Sequence, residues 1–266
     1  MNRYNPIGII DSGIGGLTVA KQIMSLMPNE NVIYFGDTAH APYGNKSNET
    51  ITEFALKGAQ FAAKKNVKLL IVSCADISAS ALELLRKKIE MPVIGVIEPA
   101  AKAAASEKKN KKIGIIGSGA VTGNKLFSAE IKKLNSKIKV FEKAAPLLAE
   151  AAEENLPAKV VNLLVKEYLE ELKEKNINAL VLGSSHYPLI APAIAKYMGK
   201  EIAIINPAIS TAYMVNDYLQ GRGIRSQSVH IGFAEFYFSD ISAGMEKKAE
   251  RFFGSRIDNL SKAEIL

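Results

Sequence analysis

The chain has a single cysteine, Cys74, among its 266 residues. One thiol cannot close an internal disulfide, which fits a reducing compartment and sets the expectation of a cytoplasmic protein. It cannot build a cysteine-based zinc site either, and His40, His186 and His230 are too scattered to suggest another metal centre. No apolar run approaches the ~18 residues that would mark a transmembrane helix. Met1 to Pro6 lead into an apolar run without a signal-peptide core, so no export is expected. Lysine and arginine exceed aspartate and glutamate by 34 to 27, a formal +7. Yet no arginine-rich arm or aromatic interleaving accompanies that excess, so nucleic acid is not an expected partner. What the charge does support is a mild attraction for small anions.

What is present is organised around Lys68 to Ser80. Leu69 to Val72 read as a strand buried on both faces, and small residues follow at once. Ala81, Leu82, Leu85 and Ile89 then keep a helical period, with the helix expected to run to about Glu90. Cys74 therefore falls between a strand and a helix, at the sheet edge where open parallel sheets bind ligands. A helix N-terminus there favours its thiolate. The plainer alternative is a small buried hydrophobe.

A second copy of the pattern raises the functional reading. Asn178 to Ile190 repeat the strand, small-residue turn and helix start, with Ser184 in the place of Cys74, an offset of 184 − 74 = 110. Ile7 to Gly13 match Ile113 to Gly119 at 113 − 7 = 106, and Val93 to Ala100 match Glu201 to Ala208 at 208 − 100 = 108. Three ordered matches imply two homologous α/β halves. The expected fold is two pseudo-symmetric doubly wound lobes, with mostly parallel sheets facing a central cleft. Residues 1–97 with 208–266 form the first lobe and 98–207 the second.

In chain order, strands are expected at Ile7–Ile10, Asn31–Phe35, Ile113–Ile116 and Val229–Phe238. Helices are expected from Leu17, over Asn48–Lys65, Leu147–Lys175 and Ala243–Phe253. The loop Gly36 to Gly44 lies at a strand's carboxyl end, a usual place for a site. Two glycine-rich turns raise a dinucleotide reading, the second with Glu142 placed 142 − 123 = 19 residues on. Thr18 and Thr122 stand where the third glycine belongs, which leaves that signal weak.

Asp11-Ser-Gly-Ile-Gly-Gly-Leu-Thr18, Tyr34-Phe-Gly-Asp-Thr-Ala39 with Pro42-Tyr-Gly44, and His186-Tyr-Pro-Leu189 resemble the glutamate racemase branch of the aspartate/glutamate racemase superfamily. Phe236 to Ser239 and Arg251 to Gly254 resemble that family's ending. The resemblance spans essentially the whole chain. It implies a cofactor-independent enzyme of bacterial cell-wall synthesis, cytoplasmic and homodimeric, acting on glutamate or aspartate. Removing a proton beside a carboxylate on one face and returning it on the other needs two opposed acid–base groups. By carry-over Cys74 is the first, Ser184 stands at the second, and Asp11, Glu153 and His186 assist. Asp11, Ser12, Pro42, Tyr43, Gly44, Ala75, Asp76, Ser185 and His186 line the substrate site. On their own terms Glu153 reads as a solvated helix carboxylate and His186 as a helix-start hydrogen-bonder.

The chain departs from the family at both reacting positions. The family's Cys-Asn-Thr is Cys74-Ala-Asp76 here, its Gly-Cys-Thr-His is Gly183-Ser-Ser-His186, and its threonine at the place of Val121 is absent. A hydroxyl pKa lies far above the ~8.5 of a thiol, so Ser184 is a poor base at neutral pH. Ala75 removes an amide donor, and Asp76 adds a carboxylate. Three readings remain at this stage: a racemase altered at its site, a single-cysteine lyase or decarboxylase-like enzyme, and a catalytically silent amino-acid-binding protein.

Overall fold

The computed structural model describes residues 2–107, 109–258 and 260–263. Ten strands among these residues form two sheets, and every pairing is parallel. The first sheet takes β1 (Ile7–Asp11), β2 (Val32–Gly36), β3 (Leu69–Val72) and β4 (Val93–Gly95) from the front of the chain. The second is built from β5 (Lys112–Gly117), β6 (Lys139–Ala144), β7 (Ala179–Gly183) and β8 (Ala203–Ile205). The tail then returns to the first sheet as β9 (Ala234–Phe238) and β10 (Leu260–Lys262). The orders are β10-β9-β2-β1-β3-β4 and β6-β5-β7-β8, so the same 2-1-3-4 winding occurs twice.

The continuous apolar strands follow from burial on both faces. Alternate residues of β1 serve different cores: Ile7 and Ile9 face a central cluster, while Ile10 faces an outer one. The central cluster joins the sheets, since Ile9, Leu69 and Ile71 share it with Ile113, Ile115, Phe127 and Val181. Helices Ile97–Ser106 and Pro207–Gly221 contribute Ala100, Ala104, Ala212 and Val215 to the same cluster. Outside it, helix Asn48–Lys64 covers one sheet and helix Ala158–Glu174 covers the other.

Three elements differ from the sequence expectation. The helix expected over Leu147–Lys175 is two, Pro146–Glu153 and Ala158–Glu174. Asn155 between them is left-handed at φ 51°, and Pro157 disfavours a helical conformation at Leu156. The helix after Cys74 breaks at Ala81, φ −125°, into Ala75–Ser80 and Leu82–Lys88. No breaker residue stands there; Ile77, Ala81 and Leu85 all bury in the outer core, and packing sets the bend. The strand expected from Val229 begins only at Ala234, opposite Val32, where β2 begins. Val229 and Ile231, 89% and 81% exposed, precede it without a strand partner.

Candidate active site

In a 2-1-3-4 winding the helices following strands 1 and 3 lie on opposite faces, which opens a crevice beyond those strands' carboxyl ends. In the first sheet the crevice receives Asp11 from the end of β1, and Ser73 and Cys74 just after β3. In the second it receives Ser118 after β5 and Ser184 after β7. The repeat thus places Cys74 and Ser184 equivalently. Ser73 and Ala75, on either side of the cysteine, line one narrow gap of about 10 Å³ with Gly183, Ser184 and Ser185.

Cys74 is the N-cap residue of helix Ala75–Ser80, and its side chain makes no capping bond. It is 4% exposed. The Ser12 hydroxyl donates to its sulfur at 3.3 Å, and the sulfur lies 4.0 Å from Asp76 Oδ2. The sequence expectation of a favoured thiolate is reversed. Burial first, then the carboxylates of Asp76 and Asp11, push the thiol well above its ordinary value, and the Ser12 bond offsets only part of that.

Asp11 is buried with both oxygens committed. Oδ1 accepts the Gly13 N–H at 3.0 Å and Oδ2 the Ser73 hydroxyl at 2.8 Å. Burial raises its pKa; the Ser73 bond opposes this, as does the charge of His186. Asp76 reaches across to the other lobe, where the Ser118 hydroxyl donates to Oδ1 at 2.6 Å. Burial raises its carboxyl also, with Ser118 pulling the other way.

His186 Nε2 bonds Glu153 Oε2 at 2.9 Å, and this holds the Glu153 carboxyl below its usual value. The imidazole edge packs on the Phe252 ring, with centroids 5.0 Å apart. Only the backbone N–H of His186 reaches Ser184 Oγ, at 3.3 Å. The loop after β1 presses directly on this group: a Cβ on Gly15 would stand 2.7 Å from the His186 ring. Thr18 ties the loops together, its one hydroxyl proton shared between the Gly15 carbonyl at 2.9 Å and the Ser185 carbonyl at 3.2 Å.

The Pro42-Tyr43-Gly44 segment borders the same crevice through its backbone. A Cβ on Gly44 would lie 3.1 Å from Ser118 Cβ and 3.6 Å from Asp76 Oδ2. The Tyr43 side chain turns inward and donates to Asp37 Oδ2 at 2.6 Å. Burial first, then that bond, push its hydroxyl well above the ordinary tyrosine value. Asp37 also takes the Ser239 hydroxyl at 2.6 Å and His40 Nδ1 at 2.9 Å, so it anchors the whole loop.

Ser118, Ser73, Thr18 and Asp37 belong to this machinery although sequence reasoning did not single them out. Ser118 had a signal: the 106-residue offset makes it the counterpart of Ser12, 118 − 12 = 106. Glu142, the weak dinucleotide candidate, lies in β6 and accepts from Ser128 instead. Among the described residues no three His, Cys, Asp or Glu side chains group as metal ligands. A larger cavity of about 380 Å³, lined by Lys21, Asn155, Arg251 and Phe252 among others, does not include Cys74.

The family model for Asp/Glu/Hydantoin racemase matches residues 7–215. A glutamate racemase of Geobacter metallireducens is 37% identical over 98% of this chain and 97% of its own length. One from Neisseria meningitidis serogroup A is 38% identical over 100% of this chain and 98% of its own. The glutamate racemase of Francisella tularensis, solved in complex with D-glutamate, superposes with a TM-score of 0.92 at 34% identity, covering 99% and 98% of the two chains. An isoform from Bacillus anthracis superposes at 0.95 with 33% identity, covering 99% of each. A matched strand order, a paired crevice and full-length similarity at these levels lead to one conclusion: the chain belongs to the glutamate racemase branch of the Asp/Glu/hydantoin racemase family.

Proposed function

We propose that this chain performs glutamate-racemase chemistry from one side only. Cys74, as thiolate, takes the α-hydrogen of a bound amino acid; the electron pair left on Cα delocalises into the α-carboxylate, and the same sulfur returns the proton. Ser12 and Asp11 flank the sulfur, and Ser185, the backbone of Pro42–Gly44 and the N-terminus of helix Ala75–Ser80 border the ligand. Ser184 stands where the second lobe's proton-transfer group belongs, opposite Cys74, with the Glu153–His186 pair beside it. The observation that carries the reading is the wiring of His186: its ring is bound to Glu153, and only its backbone touches Ser184. A hydroxyl without a bonded base is too weak a base to take a proton from Cα near neutral pH.

Full-length relatives that are racemases favour this chemistry over the lyase and binding-protein readings. From that family membership we infer a cytoplasmic homodimer supplying D-glutamate for peptidoglycan, and from the 106- to 110-residue repeat a division of the lobes at residues 97/98 and 207/208. No helix among the described residues is long and apolar enough to cross a membrane.

By the family's geometry Cys74 faces the α-hydrogen of the D enantiomer. In heavy water, proton NMR should show deuterium entering D-glutamate or D-aspartate much faster than optical rotation changes. Equal wash-in to both enantiomers, or racemisation at an ordinary enzymatic rate, would refute the one-sided reading.

A further inference from the structure

We infer that the amino-terminal ends of the second sheet form a docking surface for an anionic phospholipid bilayer, at the end of the lobe away from the cleft. The surface is independent of the chemistry proposed for Cys74.

The second lobe carries most of the chain's excess charge. Residues 98–207 hold 17 lysines, no arginine and 12 glutamates without an aspartate, so 17 − 12 = 5 of the formal +7 lies there. Six of these lysines gather where β5, β6 and β7 begin. Lys112 and Lys139 are partners in the β5–β6 ladder, and the Lys139 N–H donates to the Lys111 carbonyl at 2.9 Å. The Lys111 N–H is shared between the Lys109 carbonyl at 2.9 Å and Asn178 Oδ1 at 3.0 Å, on the approach to β7. The Lys112 ammonium donates to the Lys175 carbonyl at 3.0 Å. Lys137 joins them through the turn before β6, where Asn135 Oδ1 accepts its N–H at 3.1 Å.

The fold leaves these charges largely unopposed. Lys109, Lys111, Lys137, Lys139 and Lys175 are exposed, and their ammonium groups make no hydrogen bond or ion pair among the described residues. Of the acids beside them, Glu171 already pairs with Lys143 at 2.9 Å, which leaves Glu107 and Glu174. Like charges gathered this closely repel one another, and an anionic surface relieves that repulsion.

Leu134 favours lipid as that surface. It ends helix Leu126–Leu134 at 55% exposure, directly before the turn that carries Lys137 and Lys139. In a bilayer the ammonium groups meet lipid phosphates while an apolar side chain enters the interfacial layer. Nucleic-acid recognition instead draws on arginine forks and aromatic stacking. Residues 107–112, 132–139 and 173–178 contain neither arginine nor an aromatic residue. Ser118 and Ser184 lie beyond the opposite ends of the same strands, separated from the lysines by about 16 Å of β5. Lipid at one end therefore does not cover the other.

The test is co-sedimentation of the full chain with vesicles of phosphatidylcholine alone and of phosphatidylcholine with phosphatidylglycerol at a two-to-one ratio. The parent should pellet only with the anionic vesicles and be released as salt is raised. Lys111→Gln, Lys137→Gln and Lys139→Gln together should weaken binding by about tenfold or more. Lys64→Gln, Lys87→Gln and Lys247→Gln, an equal loss of charge from exposed first-lobe positions, should change it by less than about twofold. Leu134→Ser, which alters no charge, should weaken it several-fold. Circular dichroism and melting curves establish folding, and Leu134→Ser with the salt series decides the question if the patch triple is not folded. Absence of binding to anionic vesicles, or equal losses in the two triples, overturns the docking surface. Full binding by Leu134→Ser also overturns it, as does a duplex DNA oligonucleotide held as tightly as the anionic vesicles and released by the patch triple.

Discussion

At the scale of single residues, Cys74 sits where two opposing influences meet, and burial with two carboxylates outweighs the helix terminus. Its alkylation by iodoacetamide should therefore be slow at pH 7 and still rising at pH 9 without a plateau. Asp76→Asn should quicken it several-fold at pH 8 by removing one of those carboxylates. Asp76 itself carries a stability signature. Its folded pKa is raised above the ordinary 3.8, so ionising it costs the folded state stability. That cost is absent below pH 3.8 and grows as pH climbs through the window above it. Asp76→Asn should accordingly melt higher than the parent at pH 7, with the difference vanishing near pH 3.5. Restoring a second thiol tests the other lobe. Ser184→Cys combined with Ala75→Asn and Asp76→Thr should raise glutamate racemisation by orders of magnitude, position 184 contributing most. A folded triple variant inactive on glutamate and aspartate would show that the substrate class is wrong.

At the scale of elements, the helix Met245–Phe253 links the chain's tail to the second lobe's acid–base pair. Arg251 Nη2 donates to the carbonyls of Ala152, at 2.7 Å, and Glu153, which end helix Pro146–Glu153. Lys248 pairs with Glu154, and Phe252 supports the His186 ring. Amphipathic periodicity made this helix readable in sequence, although it starts at Met245 rather than at Ala243; its partners, 66 to 99 residues away in the chain, were not. Arg251→Met removes the donor to two partly buried helix-end carbonyls and should cost about 1–3 kcal/mol in denaturant unfolding. Arg251→Lys should recover part of it.

At the scale of the whole molecule, two lobes share one continuous core, so they should melt together. Phe127, from the second lobe, is buried in the cluster that also contains Ile9 and Ile71. Phe127→Ala should cost about 3–5 kcal/mol and lower a single calorimetric transition. Two separated transitions would show that the lobes unfold independently. A buried Lys68–Glu30 pair anchors the edge opposite the cleft, with the Lys68 ammonium also bonding the Arg3 and Ile224 carbonyls at 2.6 and 3.0 Å. Lys68→Met strands the Glu30 charge and should destabilise by about 3–5 kcal/mol.

Local pattern alone determined the parallel strands, the doubling of the fold and the placement of Cys74, Ser184 and Asp11 at sheet edges. Burial on both faces and a 106- to 110-residue repeat leave marks in a linear chain, and so do the motifs shared with relatives. Helix continuity after Cys74 did not leave such a mark, because the break at Ala81 answers to packing against distant residues. The ionisation of Cys74 was out of reach for the same reason. It depends on which carboxylates fold against the sulfur, and Asp11 lies 74 − 11 = 63 residues away. The Ser118–Asp76 bond, 42 residues apart and across the cleft, is likewise a long-range choice, made only when the two lobes close on one another. Within single lobes, the His186 ring finds Glu153 33 residues back and Tyr43 turns inward to Asp37 six residues away, because each buried polar group has to find its partner.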